Sequence, residues 1–181
     1  MIRIFGAGAW GTALAALWAH PRTGVDAPTI ELIAHTAAEA SAISAARMNS
    51  RRLPGVTLPE GIRIRSVDDE LSELSAGDLL VVAIPSDAIR GALTQVTVGG
   101  ANVVMASKGL SREGERVSEL AVAAGVSPST LFTLSGPNLA REIAAGKPAA
   151  AVLACQDGPR EDVLAALARP TFRIYMSDDP I

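Results

Sequence analysis

A glycine-rich segment at the start of the chain constrains the fold more than any other feature. The apolar run Ile2–Phe5 is followed by Gly6, Gly8 and Gly11 in Gly-x-Gly-x-x-Gly spacing, and residues 10–17 then read as a helix. In this order the first glycine permits a tight turn, the second lets the backbone approach phosphates, and the third lets the helix pack closely on the strand. Unpaired N–H groups at the helix start favour an anion. We therefore expect the segment to bind a dinucleotide pyrophosphate, although glycines also mark ordinary turns.

The composition favours one α/β domain built from small aliphatic side chains. Apolar residues make up 49% of the 181 residues and aromatic residues only 3%, which suits buried parallel strands covered by helices. The net charge of −3 gives no reason to expect a nucleic acid or a membrane surface as partner. No apolar stretch is long enough to span a membrane, and no leader precedes the first strand. We therefore expect a cytoplasmic protein.

Scarce residue types argue against several kinds of site. Cys155 is the only cysteine, so no disulfide can form within the chain. The only histidines are His20 and His35, and together with one cysteine they are too few for a zinc cluster, so no metal is expected. Both histidines fall in the expected nucleotide-binding half of the chain, which argues against a Ser-His-Asp triad. Among the sixteen basic residues only Lys108 and Lys147 are lysines. A lysine in an unusual turn is therefore informative in this chain.

Apolar runs alternate with helical patterns along the whole sequence. This alternation predicts a doubly wound α/β domain of the Rossmann type, with a parallel sheet, over residues 1–181. Residues 66–69 resemble a capping box that opens a short helix, and Gly158-Pro159 is typical of a helix start. The expected strands are residues 2–5, 30–34, 79–84, 103–106, 131–134, 149–154 and 172–176. The expected helices include residues 36–47, 87–96, 117–124 and 161–168.

Four unusual turns follow the predicted strands. They contain a glycine, a proline or a lone lysine, and they lie at residues 6–8, 85–87, 107–109 and 135–138. In a doubly wound sheet, ligands bind beyond the carboxyl ends of the strands. We therefore expect these turns to converge on one functional site.

With these turns, the chain resembles the NAD(P)-dependent glycerol-3-phosphate dehydrogenases of bacterial type. The resemblance implies hydride transfer between a nicotinamide cofactor, NADP or NAD, and dihydroxyacetone phosphate or sn-glycerol 3-phosphate, which serves glycerophospholipid synthesis. The main partner would be the small-molecule substrate, and the resemblance is compatible with a homodimer of the full-length protein. The matching segments are residues 6–15, Asn49, 52–55, 58–59, 83–86, 107–110, 135–142 and 172–179.

The resemblance also implies particular binding residues. The implied cofactor contacts are Ala9, Trp10, His35, Arg52, Lys108 and Ala140. The implied substrate contacts are Lys108, Gly136 and Asn138. Ala9 and Asn138 stand where bacterial members often have serine, so the hydroxyl is missing at both positions. From its place directly after the expected strand at residues 79–84, Pro85 is a further expected cofactor contact through its backbone, and Ser86 is expected to cap the helix that follows.

The family's proton-transfer lysine belongs to a helical domain that follows the cofactor-binding domain. The groups that grip the substrate phosphate lie in that domain as well. This sequence stops at residues 179–181, where that domain should begin. The resemblance therefore implies a cofactor-binding domain that is inactive alone.

Two residue roles follow from position in the sequence. Lys108 follows a strand and precedes Gly109, so its ammonium can stabilise a carbonyl oxygen that gains negative charge and can position the substrate. The alternative is a surface lysine without a role, which is how we interpret Lys147. Trp10 either packs the helix on the sheet or stacks on the cofactor. The turn at Gly136-Pro137 is either part of the site or a plain turn.

The end of the second strand predicts a preference for NADPH over NADH. An acidic residue normally binds the ribose of NAD there, and Glu31 is rejected because it falls mid-strand. Basic and polar residues replace it, namely His35, Thr36, Arg47, Arg51 and Arg52. A charge-assisted hydrogen bond to the 2′-phosphate is worth roughly 10- to 100-fold in affinity. The alternative is an exposed strand end beside solvated arginines.

Two other functions remain open from the sequence. One is a non-catalytic sensor that binds a dinucleotide and a protein partner, which would not need Lys108 or residues 136–138. The other is a related dehydrogenase that acts on another small substrate with the same domain.

Overall fold

An eight-stranded sheet organises the molecule. The computed structural model describes residues 1–21, 27–157 and 160–179. Its strands are β1 Ile2–Phe5, β2 Ile30–Ala34, β3 Ile62–Ser66, β4 Leu79–Val82, β5 Asn102–Met105, β6 Leu131–Ser135, β7 Ala149–Ala154 and β8 Phe172–Ser177. Its α-helices are α1 Ala9–Trp18, α2 Ala37–Ala46, α3 Ile89–Leu93, α4 Val117–Ala123, α5 Ala140–Ala144 and α6 Glu161–Leu167, with short 3₁₀ turns at Ser86–Ala88 and Pro128–Thr130.

The strand order is β3-β2-β1-β4-β5-β6-β7-β8, which confirms a doubly wound sheet. The expectation of a fully parallel sheet was wrong at one junction, because β6 and β7 pair antiparallel. The helix between them, α5, has five residues and spans about 7.5 Å. It is too short to carry the chain back along β7, whose six residues extend about 20 Å. The carboxyl ends of β1 to β6 therefore share one edge, and those of β7 and β8 lie at the other.

Two other differences from the sequence prediction concern short elements. Strand β3 is missed by the sequence prediction because this edge strand alternates isoleucine and arginine instead of forming an apolar run. Residues 66–69 form a turn and open no helix: Asp69 Oδ2 accepts the Ser66 N–H at 2.9 Å, so the carboxylate closes the turn after β3. The proposed helix start at residues 158–159 lies outside the described residues.

Apolar layers cover both faces of the sheet. On one face, helices α1, α5 and α6 pack against sheet side chains such as Ile4 and Phe132. On the other face, helices α3 and α4 pack against Phe5 and Leu80. Helix α1 is buried from Gly11 to Trp18 because it packs on the sheet and on α5. In the part of the chain that the structure describes, no helix has the length and hydropathy needed to cross a membrane.

A buried ion pair joins the middle of β1 to the middle of β2. Arg3 Nε donates to Glu31 Oε2 at 2.8 Å, and the two side chains are only 1% and 5% exposed. Arg3 also donates to the Ser72 carbonyl at 2.8 Å and to its hydroxyl at 3.0 Å. Glu31 therefore belongs to the sheet interior, which confirms its rejection as a ribose ligand.

We expect Glu31→Leu to lower the free energy of unfolding by about 3–5 kcal/mol, because the Arg3 guanidinium would stay buried without its counter-charge. The double variant Arg3→Met/Glu31→Leu should recover most of that loss, since neither charge is then buried. Urea unfolding of the two single variants and the double variant measures this. Losses that simply add would show that the two charges are not coupled.

Candidate dinucleotide-binding site

In the turn between β1 and α1, Gly6 and Gly11 have no room for a side chain, whereas Gly8 has open space beside it. Gly6 has φ +119°, and a Cβ there would lie 2.5 Å from the Ala83 carbonyl oxygen. A Cβ at Gly11 would lie 2.0 Å from the Gly6 carbonyl oxygen. A Cβ at Gly8 would meet nothing within 4 Å. The turn therefore keeps a concave space beside Gly8, while the other two glycines are required by packing.

Helix α1 begins at this space without a capping side chain. Gly8 is its N-cap residue, with extended backbone, and makes no side-chain hydrogen bond to the first turn. The first N–H groups of a helix have no intrahelical partner and carry the positive end of its dipole. The opening beside Gly8 therefore offers an anion several N–H donors, as a pyrophosphate requires.

The turn opens into a cleft of about 570 Å³ between the ends of β1, β2 and β4. Five residues predicted from the sequence line it together: Gly6, Gly8, His35, Arg52 and Pro85. The lining also includes apolar side chains such as Ile33 and Val67. The cleft thus joins the cradle, our name for the turn at residues 6–8 with the uncapped start of α1, to apolar side chains at the tip of β2.

Asn49 holds the segment after α2 against the glycine turn. Its side chain is 1% exposed, and its Nδ2 donates to the Ala7 carbonyl at 2.7 Å and to Thr12 Oγ1 at 2.9 Å. Its Oδ1 accepts the Arg52 N–H at 3.1 Å. One buried amide therefore positions both the cradle and Arg52. Asn49 is one of the residues that carry the family resemblance, but the sequence alone assigns it no role.

Lys108 joins three turns at the same edge of the sheet. Its exposed Nζ donates to the Gly136 carbonyl at 3.2 Å and lies 5.0 Å from the centre of the Trp10 ring. The Trp10 Nε1–H donates to the Ala106 carbonyl at 3.0 Å. Trp10 therefore packs beneath the ammonium, and its stacking on a cofactor stays a prediction. Ala140, the first residue of α5, packs on the same core.

A second cavity of about 510 Å³ lies beside Lys108. Gly136 lines it, and a Cβ there would lie 2.6 Å from Asn138 Nδ2. Asn138 is buried and is not among the lining residues. Arg116 also lines the cavity, and its hydrogen bond at 2.7 Å lowers the pKa of Glu119. Because Arg116 is paired with a carboxylate, Lys108 is the cation best placed to meet an anionic group here.

Two side chains differ from their predicted roles. Ser86 caps no helix, because its hydroxyl donates to the Leu110 carbonyl at 2.8 Å and ties together the turns after β4 and β5. Arg47 is not available to a 2′-phosphate, because its guanidinium donates to the carbonyls of Pro59 and Ile62. It ends α2 in the left-handed region, with φ 45°.

The cleft also contains a carboxylate that the sequence analysis did not assign. Glu39 lies in the first turn of α2 and lines the cleft with His35 and Arg52. Its Oε2 accepts the His35 N–H at 3.1 Å. In the described residues, no group of three or more His, Cys, Asp or Glu side chains could hold a metal ion.

Comparison with known proteins gives this geometry a family. The sequence model described as the NAD-dependent glycerol-3-phosphate dehydrogenase N-terminus matches residues 1–160. The chain belongs to this family. A relative from Corynebacterium glutamicum, named an NAD(P)+ glycerol-3-phosphate dehydrogenase, is 39% identical over 99% of this chain and 54% of the relative. A relative of the same name from Acidiphilium cryptum is 37% identical over 98% of this chain and 52% of the relative.

Solved structures agree with the glycerol-3-phosphate dehydrogenase family. The glycerol-3-phosphate dehydrogenase of Coxiella burnetii matches with a TM-score of 0.77 and 28% identity, over 98% of this chain and 54% of that chain. A glycerol-3-phosphate dehydrogenase of Saccharomyces cerevisiae, 21% identical with a TM-score of 0.74, shows the shared fold over 99% of this chain and 56% of that chain. The chain therefore spans about half the length of the relatives it matches.

We expect Asn49→Leu to weaken dinucleotide binding at least tenfold, because the Ala7 carbonyl, the Thr12 hydroxyl and the Arg52 N–H would lose their common partner. Asn102→Leu is the matched control, since Asn102 is also buried but is the first residue of β5, at the end of that strand away from the glycine turn. Calorimetric titration of both variants with NADH and NADPH measures the effect. Equal weakening in the two variants would show that Asn49 acts only through stability.

Proposed function

We propose that residues 1–181 form the cofactor-binding domain of an NAD(P)-dependent glycerol-3-phosphate dehydrogenase. The observation that carries this proposal is the placement of Lys108, on the Gly136 carbonyl and over Trp10, at the same sheet edge as the glycine cradle. The cradle fits a pyrophosphate, because the space beside Gly8 is empty of protein atoms and the start of α1 is uncapped. A cytoplasmic location and a role in glycerophospholipid synthesis follow from the resemblance and belong to the same proposal.

The residues of this chain divide the proposed work between binding and charge stabilisation. The bound cofactor supplies the hydride chemistry. The N–H groups at the start of α1 bind the pyrophosphate, and the apolar walls of the cleft hold the adenosine. Lys108 Nζ, fixed by the Gly136 carbonyl, is placed to stabilise the substrate oxygen as it gains negative charge during carbonyl reduction.

Proton transfer to that oxygen requires a further group. By the family resemblance, that group would belong to a helical domain that follows the cofactor-binding domain. We therefore expect this chain to bind the cofactor but not to turn over by itself. The substrate class, dihydroxyacetone phosphate or sn-glycerol 3-phosphate, rests on family membership.

The preference for NADPH stays a prediction. His35 and Arg52 line the cleft, as that preference requires, whereas the Arg47 guanidinium donates its hydrogen bonds to backbone carbonyls. Titration of the chain with NADPH and NADH decides it. Equal affinities, or tighter NADH, would contradict the prediction.

Gly8→Val should abolish binding of NADH and NADPH and lower the melting temperature by no more than about 4 °C, the cost of replacing an N-cap glycine. The backbone of Gly8, φ −69°, accepts a side chain, and no protein atom stands in its way, but the new side chain would occupy the cradle. Gly61→Val is the control, because a Cβ there also meets nothing. Unchanged binding by the Gly8 variant would disprove pyrophosphate binding at this turn.

In a chain extended to the length of the relatives, Lys108→Ala should reduce the rate of dihydroxyacetone phosphate reduction at least 100-fold. Cofactor affinity should change less than about threefold, since the cradle is intact. Lys147→Ala is the control, because that lysine is exposed and paired with Glu142. Near-normal turnover with Lys108→Ala would rule out the proposed role of Lys108, whereas no turnover by the extended wild-type chain would favour a non-catalytic sensor or a different reaction.

A further inference from the structure

The tip of β2 lacks the acidic residue that usually binds the adenosine ribose of NAD. Strand β2 ends at Ala34 and is followed by His35 and Thr36, neither of which is acidic. Glu31 is held inside the sheet by Arg3. A carboxylate at this tip must therefore come from elsewhere in the chain.

The fold brings Glu39 back to that tip. Thr36 is the N-cap residue of α2, and its Oγ1 accepts the Glu39 N–H at 3.1 Å. The Glu39 side chain then reaches the other way, and its Oε2 accepts the backbone N–H of His35 at 3.1 Å. Both bonds are local, so the carboxylate is fixed one residue beyond the end of β2.

The second oxygen of this carboxylate is left for a ligand. Within the described residues, Oε1 of Glu39 has no hydrogen-bond partner, and the residue is only partly buried. Glu39 lines the same cleft as Gly6 and Gly8. Because β1 and β2 are neighbouring parallel strands, a dinucleotide on the β1 turn carries its adenosine ribose towards the tip of β2.

The cleft at the tip of β2 is lined by both a basic and an acidic side chain, Arg52 and Glu39. Arg52 and His35 line the same cleft as Glu39, so a guanidinium and an imidazole would lie near a ribose bound there. A 2′-phosphate is attracted by the guanidinium and repelled by the carboxylate, whereas a ribose 2′-hydroxyl can donate to the carboxylate. Selectivity is a difference between two affinities, and a repulsive group contributes to it as fully as an attractive one.

We propose that Glu39 accepts the adenosine ribose hydroxyls and opposes a 2′-phosphate, so that it sets the balance between NAD and NADP. This inference rests on the proposed dinucleotide binding. The simpler role for Glu39 is to cap α2, and glutamine performs that capping as well as glutamate. The variant Glu39→Gln therefore removes the charge while it keeps the cap.

The test compares the ratio of the dissociation constants of NADP+ and NAD+ in the wild-type chain and in Glu39→Gln, at fixed salt. The ratio should fall roughly tenfold, the effect of one charge-assisted contact, and the melting temperature should not change. Glu119→Gln is the matched control, because Glu119 also accepts the N–H at the start of its helix, outside the cleft. Its ratio should equal that of the wild type.

A ratio within twofold of the wild type in Glu39→Gln, with both cofactors still bound, would overturn the proposal and leave Glu39 as a helix cap. Glu39→Ala provides a second measurement: the proposed role requires its ratio to fall as well, whereas capping alone lowers only its melting temperature. Failure of the wild-type chain to bind either cofactor would overturn the proposed function, and this inference with it.

Discussion

The close approach of α1 to the sheet edge is the constraint on which the rest of the site depends. Gly6 stands against the carbonyl of Ala83 and Gly11 against the carbonyl of Gly6, so neither position has room for a side chain. This contact fixes where the uncapped helix start points, and Asn49 ties the segment after α2 to the same turn. A dinucleotide bound as proposed would meet donors whose positions this packing already fixes, so little ordering would remain to oppose binding.

Much of the fold could be predicted because its central strands are buried on both faces and read as continuous apolar runs. Strands β1 and β2 were predicted with their observed bounds, and the glycine spacing located the cradle. Strand β3 could not be recognised in the same way, since it alternates isoleucine and arginine and contains no apolar run. The antiparallel pairing of β6 with β7 depends on how far a five-residue helix reaches, which local sequence does not encode.

Within the site, residues in turns directly after strands could be predicted, and residues that reach back to those turns could not. Gly8, Pro85 and Lys108 follow their strands immediately, so topology alone brings them to one edge. Asn49 and Glu39 act from positions after or inside α2 through hydrogen bonds to Ala7 and His35. The Thr36-x-x-Glu39 spacing indicates a capping box at the start of α2. That Asn49 and Glu39 reach back to the turns after the strands depends on the path of the chain between elements, which spacing does not give.

Solvent exposure separates what this chain can do alone from what the reaction requires. The Lys108 ammonium is exposed, and two apolar side chains in the neighbouring turns, Leu110 and Leu139, are 59% and 63% exposed. Water screens a charge in such a setting, whereas an ammonium stabilises a developing oxyanion strongly only where water is displaced. The proposed cofactor binding does not depend on that exclusion, because the N–H groups at the start of α1 would contact the phosphate directly. The proposed binding and the proposed chemistry therefore make different demands on this edge of the sheet: the first needs unpaired N–H donors, which the start of α1 has, and the second needs water to be displaced from Lys108.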